Sequence, residues 1–236
     1  MSTHDPDPGS QPAAPSGTHT LSEAESKALL AAHGVPMPAE QVVADPDSAA
    51  TAAGAMGFPV VAKLCGDGIA HKTERGLVRL GLNDADAVRA AATDLLAAAT
   101  PDDGEVGVLV APMLRGNREL IAGLADDPQF GMTVVLGIGG IFTEALADVA
   151  IRLVPIERVD AEEMIDELRT QALLGAFRGE PPVDRERLAD VLLGLSRAAI
   201  ATPELVSADV NPLIVVDGVP IAVDALVEVR DPMVAA

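Results

Sequence analysis

Apolar and polar positions in this chain alternate between helical spacing and short strand-like runs, and the two kinds of segment take turns along most of its length. Residues 21–33 (LSEAESKALLAAH) place Ala24, Ala28, Leu29 and Leu30 on one face, with Ser22 as the N-cap. Gly34 stops that helix, and Pro36 and Pro38 prevent its resumption. A strand at 41–44 precedes an Ala-rich helix at 45–56, opened by Asp45-Pro46 and closed by Gly57. Strands at 59–64 and 77–82 follow, then a helix at 84–98 with Ala85, Val88, Ala92 and Leu95 on one face. The run VGVLVAPM at 106–113 reads as a strongly apolar strand, and further strands are expected at 119–123, 133–138 and 149–154. Helices at 161–169 and 182–201 come next, the second with Leu188, Val191, Leu192 and Leu195 at helical spacing. Two β runs at 210–216 and 219–223, joined by Asp217-Gly218, predict a hairpin. The sum is two α/β lobes, 21–110 and 111–230, between a disordered tail at 1–20 and a short tail at 231–236.

The stretch between the strands at 59–64 and 77–82 makes the most specific chemical suggestion. It holds Gly66, Gly68 and Gly76, with His71 near its middle. Glycine relaxes backbone restriction, so a loop rich in it can move. At ~3.3–3.6 Å per extended residue, an imidazole about five residues from either anchor has a swing of roughly 15 Å. Such a group suits carriage of something between two places.

Composition narrows the classes. The 236 residues are 49% hydrophobic, enough for a substantial core, yet only 2% aromatic, so Val, Leu, Ile and Ala must build it. No apolar run reaches the ~18–20 residues of a membrane helix, and the start lacks the regions of a signal peptide. A single cysteine, Cys65, excludes an intrachain disulfide and fits a reducing cytoplasm; it reads as a packed thiol. The net charge of -20 argues against sequence-independent nucleic-acid binding. Lysine is rare: Lys27, Lys63 and Lys72 are the only three, and two of them flank the His71 loop. A lysine kept in a chain that otherwise uses Arg suggests a point charge with a task, often a phosphate contact.

Other candidates are weighed against structural readings. Lys63 ends a buried-looking strand, where it can reach solvent or a phosphate. Asp209 and Asn211, two apart on a strand, share a face, and Asp224 at the end of the hairpin partner can lie beside them. Hard oxygen ligands beside a phosphate are how Mg²⁺ is usually held; polar residues on the wet face of a hairpin are the alternative. The cluster Gly137, Gly139 and Gly140 is neither a Walker loop nor a dinucleotide fingerprint, and a tight turn accounts for it. Downstream, Glu144 and Arg152 either line a phosphate cleft or form a structural ion pair.

Taken together, LSEAESKALLAAHGVPMP, GFPVVAKL, HKTERGLVRLGL, DPQFGMTVVLGIGGIFTEALADVAIRLVP, RGEPPVD and DVNPLIVV resemble, in order over residues 21–230, the ATP-grasp subunit of the ADP-forming acyl-CoA synthetases. These belong to the superfamily of ADP-forming acetate–CoA ligase and succinyl-CoA synthetase. The resemblance implies an α/β (α+β) ATP-grasp fold with nucleotide between the lobes. It implies that Lys63 contacts the nucleotide phosphates, that Val110, Ala111, Pro112 and Met113 form the hinge facing adenine, and that Glu119 faces the ribose. Arg152 would touch the phosphoryl group, Asn211 and Asp224 would hold Mg²⁺ with Asp209 beside them, and His71 would be the phosphohistidine relay to ADP. Two positions depart from the family pattern: Leu77 stands where a glycine is usual, and Ala111 where glutamate is frequent.

No GxGxxG unit opens the chain, so the family's CoA-binding Rossmann half is absent and a separate CoA-binding α subunit, hence a hetero-oligomer, is expected. The expected cofactors are ATP/ADP and Mg²⁺, in the cytoplasm, with no nucleic acid or membrane as partner. The competing readings are a non-catalytic ATP-grasp nucleotide-binding module and, last, a carboxylate–amine ligase, which usually carries an N-terminal domain that 20 residues cannot form.

Overall fold

A computed structural model describes residues 17–66, 69, 75–139 and 148–231. Two antiparallel sheets divide the strands. The larger has seven strands in the order β1-β11-β9-β6-β7-β8, with β10 also paired to β9; the smaller has four in the order β2-β5-β3-β4. The larger contains β1 (Thr18–Thr20), β6 (Glu119–Asp127), β7 (Gly131–Ile138), β8 (Val149–Leu153), β9 (Leu205–Val216), β10 (Val219–Ala222) and β11 (Leu226–Arg230). The smaller contains β2 (Gln41–Val43), β3 (Val60–Gly66), β4 (Val78–Leu82) and β5 (Val106–Pro112). Residues 18–20, expected as tail, instead pair with β11, Thr18 opposite Arg230. β11 itself was not foreseen, and β9 begins earlier than the expected 210.

The helices start where capping chemistry permits. Ser22 and Glu25 form a reciprocal capping box at α1 (Glu23–Ala32). Asp45 accepts from the amides of Asp47 and Ser48 at α2 (Pro46–Met56), and Pro46 occupies the first turn, where its missing N–H costs nothing. Asp84 caps α3 (Ala85–Ala97) through the Ala87 amide. α4 (Arg158–Glu167) and the single turn α5 (Gln171–Leu174) lead to α6 (Arg185–Ala201), capped by Asp184 on the Arg187 amide.

Each sheet has its own core. α2 and α3 cover one face of the smaller sheet, where Ala49, Ala53, Val88 and Leu95 meet Val60, Leu64 and Val110. α4 and α6 cover one face of the larger, where Met164, Ile165, Leu188 and Leu192 meet Leu120, Leu136 and Val210. α1 precedes the smaller sheet in sequence but packs in the larger core through Leu30, and Val35 follows it there. The smaller sheet is therefore drawn from a continuous stretch, 41–113, set between two parts of the larger unit.

The opposite face of the smaller sheet carries Val61, Lys63, Cys65, Leu109 and Ala111, because β3 and β5 pair Val61 with Ala111 and Lys63 with Leu109. Ala24 of α1 packs on Cys65, Leu109 and Ala111. That contact brings the two units together at Lys63.

Candidate nucleotide and metal site

β3 is buried along all seven of its residues, so Lys63 reaches the junction as a nearly enclosed cation, 7% exposed. Its Nζ donates to Glu23 Oε1 at 2.6 Å and to the Val223 carbonyl at 3.2 Å, and stands 3.3 Å from Asp224 Oδ2. Glu23 comes from α1 and is completely buried. It also takes Lys27 at 2.8 Å, and Lys27 bonds Glu40 at 2.8 Å. Burial alone would lower the Lys27 ammonium; the charges of Glu23 and Glu40 and the hydrogen bonds to both outweigh it and hold the group above its ordinary value. Sequence reading missed Glu23. The one signal that pointed there was the scarcity of lysine: two of the three lysines meet on this carboxylate.

The expected metal ligands are gathered by strand register. Ala222 lies opposite Leu213, and Leu226 opposite Asp209. Carrying that register between them sets Asp224 opposite Asn211. Asp209 and Asn211 alternate with buried Ala208 and Val210, so both face away from the larger core. Crowding by the protein, and next the negative charge of Asp224, push the Asp209 carboxyl up from its ordinary value. Asp209 remains open to solvent, so the crowding describes a concave setting. A recess of about 240 Å³, lined by Ile121, Gly123, Val135, Ser207 and Asp209 among others, adjoins it. Two carboxylates that repel, with an amide between them, suit a divalent cation that keeps several waters or phosphate oxygens. Among the described residues no three His, Cys, Asp or Glu side chains converge.

The four residues expected as the hinge, Val110 to Met113, are only partly open to a ligand. Val110 is fully buried, with β2 on one side and β3 on the other. β2 begins at Gln41, opposite Val110, so Ala111 and Pro112 lie beyond it and have a strand partner on one side only. The Met113 amide is taken by the Pro59 carbonyl at 3.0 Å. Glu119 opens β6 and is exposed. The preceding residue, Arg118, is buried and donates to the carbonyls of Gly175 (2.9 Å) and Pro181 (2.6 Å) and to Glu180 (3.2 Å). Glu180 also accepts the Asn117 amide at 3.0 Å, so this pair fixes where Glu119 begins its strand. Neither was singled out from sequence.

Arg152 is not brought to the site. Val134, opposite it on β7, is buried in the larger core, so Arg152 points to the helix-bearing face, away from Asp209 and Asn211. There it pairs with Glu167 and Glu163 of α4. Strand parity fixes this face, so within the described residues Arg152 forms an ion pair with α4 and stands apart from Lys63 and Asp224. Gly139 lies against β6, its amide donating to the Glu119 carbonyl at 2.9 Å, and a Cβ there would come within 3.1 Å of the Glu119 backbone.

His71, Gly68, Lys72, Gly140 and Glu144 lie outside the described residues; near the histidine, Ile69 and the residues from Arg75 onward are described. Ile69 is buried in the smaller core, with its amide on the Gly66 carbonyl. Leu77 is buried there too, and its carbonyl accepts the Leu64 amide. Arg75 binds Asp103 through both guanidinium nitrogens at 2.6 and 2.9 Å. The Arg75 bond, then the Thr100 amide, hold the Asp103 carboxyl well below the usual carboxylate range. Ile69 and Leu77 are thus both seated in the smaller core.

Residues 12–229 match the ATP-grasp domain family, and the chain belongs to it. An acetate–CoA ligase [ADP-forming] I subunit beta from Pyrococcus furiosus is 38% identical over 208 residues, covering 87% of this chain and 90% of that protein. Among solved structures, a Ca. Korarchaeum cryptofilum dinucleotide-forming acetyl-coenzyme A synthetase 1 with coenzyme A and Ca-AMPCP superposes with a TM-score of 0.83 at 33% identity, covering 90% of this chain and 94% of that one. The same synthetase with coenzyme A and Mg-AMPPCP, its phosphohistidine segment pointing towards the nucleotide binding site, gives 0.76 at 34%, covering 90% and 93%. Within the ATP-grasp family, the chain's relatives thus include β subunits of ADP-forming acetate–CoA ligases and a dinucleotide-forming acetyl-coenzyme A synthetase of known structure.

Proposed function

We propose that this chain is the nucleotide-binding subunit of an ADP-forming acyl-CoA ligase, acting with a separate CoA-binding subunit in the cytoplasm on acyl-CoA + ADP + phosphate ⇌ carboxylate + CoA + ATP. The observation that carries the reading is the meeting of Lys63, from the smaller sheet, with Asp224, from the end of the larger sheet's hairpin, at 3.3 Å. A cation for phosphate and a ligand for a metal stand side by side where the two units join.

In this reading Lys63 holds the phosphates of ADP, and Ala111 and Pro112 border the base. Asp224, Asn211 and Asp209 would hold Mg²⁺, which neutralises charge on the phosphates when bound. His71 takes a phosphoryl group from a phosphorylated histidine of the CoA-binding subunit: the donor P–N bond breaks as one forms at the His71 imidazole, and the donor leaves as a neutral imidazole on taking up the proton His71 gives up. The bond at His71 breaks as the terminal oxygen of ADP attacks phosphorus, giving ATP and returning the neutral imidazole. Glu119 borders the ribose. Arg152 has no part in the transfer.

Mixed with its CoA-binding subunit and an acyl-CoA, the chain should form ATP from ADP and phosphate, and His71→Ala should abolish this. Incubation with labelled ATP and magnesium should leave an acid-labile, base-stable phosphate on the parent and none on the variant. ATP formation that survives His71→Ala would end the relay assignment; nucleotide binding without any phosphohistidine would favour a non-catalytic module.

A further inference from the structure

Lys63 is held from behind by a residue that none of the foregoing roles includes. An ammonium has three protons to donate, and its neighbours here are Glu23 at 2.6 Å, the Val223 carbonyl at 3.2 Å and Asp224 at 3.3 Å. These contacts are not equivalent. The Asp224 side chain is 38% exposed and belongs to the candidate metal ligands, so its contact is open to exchange. The Glu23 side chain is wholly buried, and the same Oε1 that takes Lys63 also takes Lys27, which Glu40 secures in turn. A charge-assisted hydrogen bond in so dry a setting is the least exchangeable of the three.

We propose that Glu23 is a positioning residue for nucleotide binding: rooted in α1 on the larger unit, it fixes the Lys63 ammonium of the smaller sheet so that the bond now facing Asp224 can be given to a nucleotide phosphate. This rests on the reading of Lys63 as a phosphate contact. The arrangement matches a general device in phosphoryl transfer, in which a phosphate-binding lysine on a strand is ordered by a glutamate on a helix. Here the helix packs with one unit and the lysine belongs to the other, so the pair also ties phosphate capture to how the two units sit together. Lys27 and Glu40 complete the device: Lys27 holds the same Glu23 oxygen as Lys63, and Glu40 pairs with Lys27 in turn.

The test measures the affinity of the full chain for ADP and for adenosine by calorimetry. Lys63→Met should weaken ADP by at least about tenfold, and Glu23→Gln by about threefold to tenfold, with adenosine unchanged in both, since each loses phosphate recognition alone. A purely structural role for Glu23 would weaken both ligands together. Glu23→Gln that binds ADP as tightly as the parent, while Lys63→Met does not, overturns the positioning role and leaves the nucleotide reading standing. ADP affinity unaffected by Lys63→Met overturns the phosphate contact itself. Should Glu23→Gln fail to fold, Glu23→Asp keeps the charge and withdraws the carboxylate by one methylene. A selective loss of ADP affinity in that variant supports the proposal, and parent-level affinity refutes it.

Discussion

At the scale of single residues, electrostatics at the junction separates what was readable in advance from what was not. Asp209 and Asn211 were readable because strand parity is local: two positions apart means one face. Glu23 and Lys63 lie 40 positions apart, and nothing in the spacing pairs them. Arg152 shows the limit from the other side. Its apolar neighbours marked a strand, but which face it took depended on pairing with β7, a tertiary fact. Asp209 yields a pH prediction. Its carboxyl lies above its ordinary value in the fold, through crowding and the charge of Asp224. Such a group adds stability below its unfolded value and loses it as pH rises through the folded value. Asp209→Asn should therefore match the parent in acid and melt higher at neutral pH, the gap opening above the ordinary carboxylate value. Magnesium should narrow the gap by favouring the ionised parent. Melting curves across pH with and without magnesium check this; a gap that widens in acid would contradict the assignment.

At the scale of elements, periodicity and capping located the long helices and the core strands, because both signals are written into neighbouring residues. The short edge strand β1 escaped, since three residues of Thr-His-Thr carry no pattern until β11 offers them an edge. The hairpin of β3 and β4 gives a sharp contrast in cost. Leu64 is fully buried between the sheet and its helices, while Leu80 on the next strand is 65% exposed. Leu64→Ala should cost about 2–5 kcal/mol in denaturant unfolding. Leu80→Ala should stay within about 0.5 kcal/mol. Equal effects would show that the two strands do not present these faces. The ends of the His71 segment belong to this scale as well. Ile69 and Leu77 are seated in the same core, and Arg75 is clamped to Asp103. Leu77, where the family pattern has glycine, packs in that core.

At the scale of the whole molecule, sequence order misleads about membership. A division at residue 110 leaves α1 with the strands that follow it, yet Leu30 packs with α6 and the larger sheet. Only the closed fold shows that 41–113 is an excursion from a unit begun before it and finished after it. The same closure puts the two ends of the described chain together, with Thr18 opposite Arg230 and the Gly17 carbonyl bonded to the Asp231 amide. A permuted chain joined across that seam and reopened in the exposed turn after Asp127 should fold and keep its ADP affinity, as measured by melting and calorimetry. Loss of folding on relinking would contradict the pairing. A module whose entrance and exit share one doorstep can be carried as a cassette inside a longer polypeptide, or stand as a free subunit, and the host need not span any distance to accommodate it.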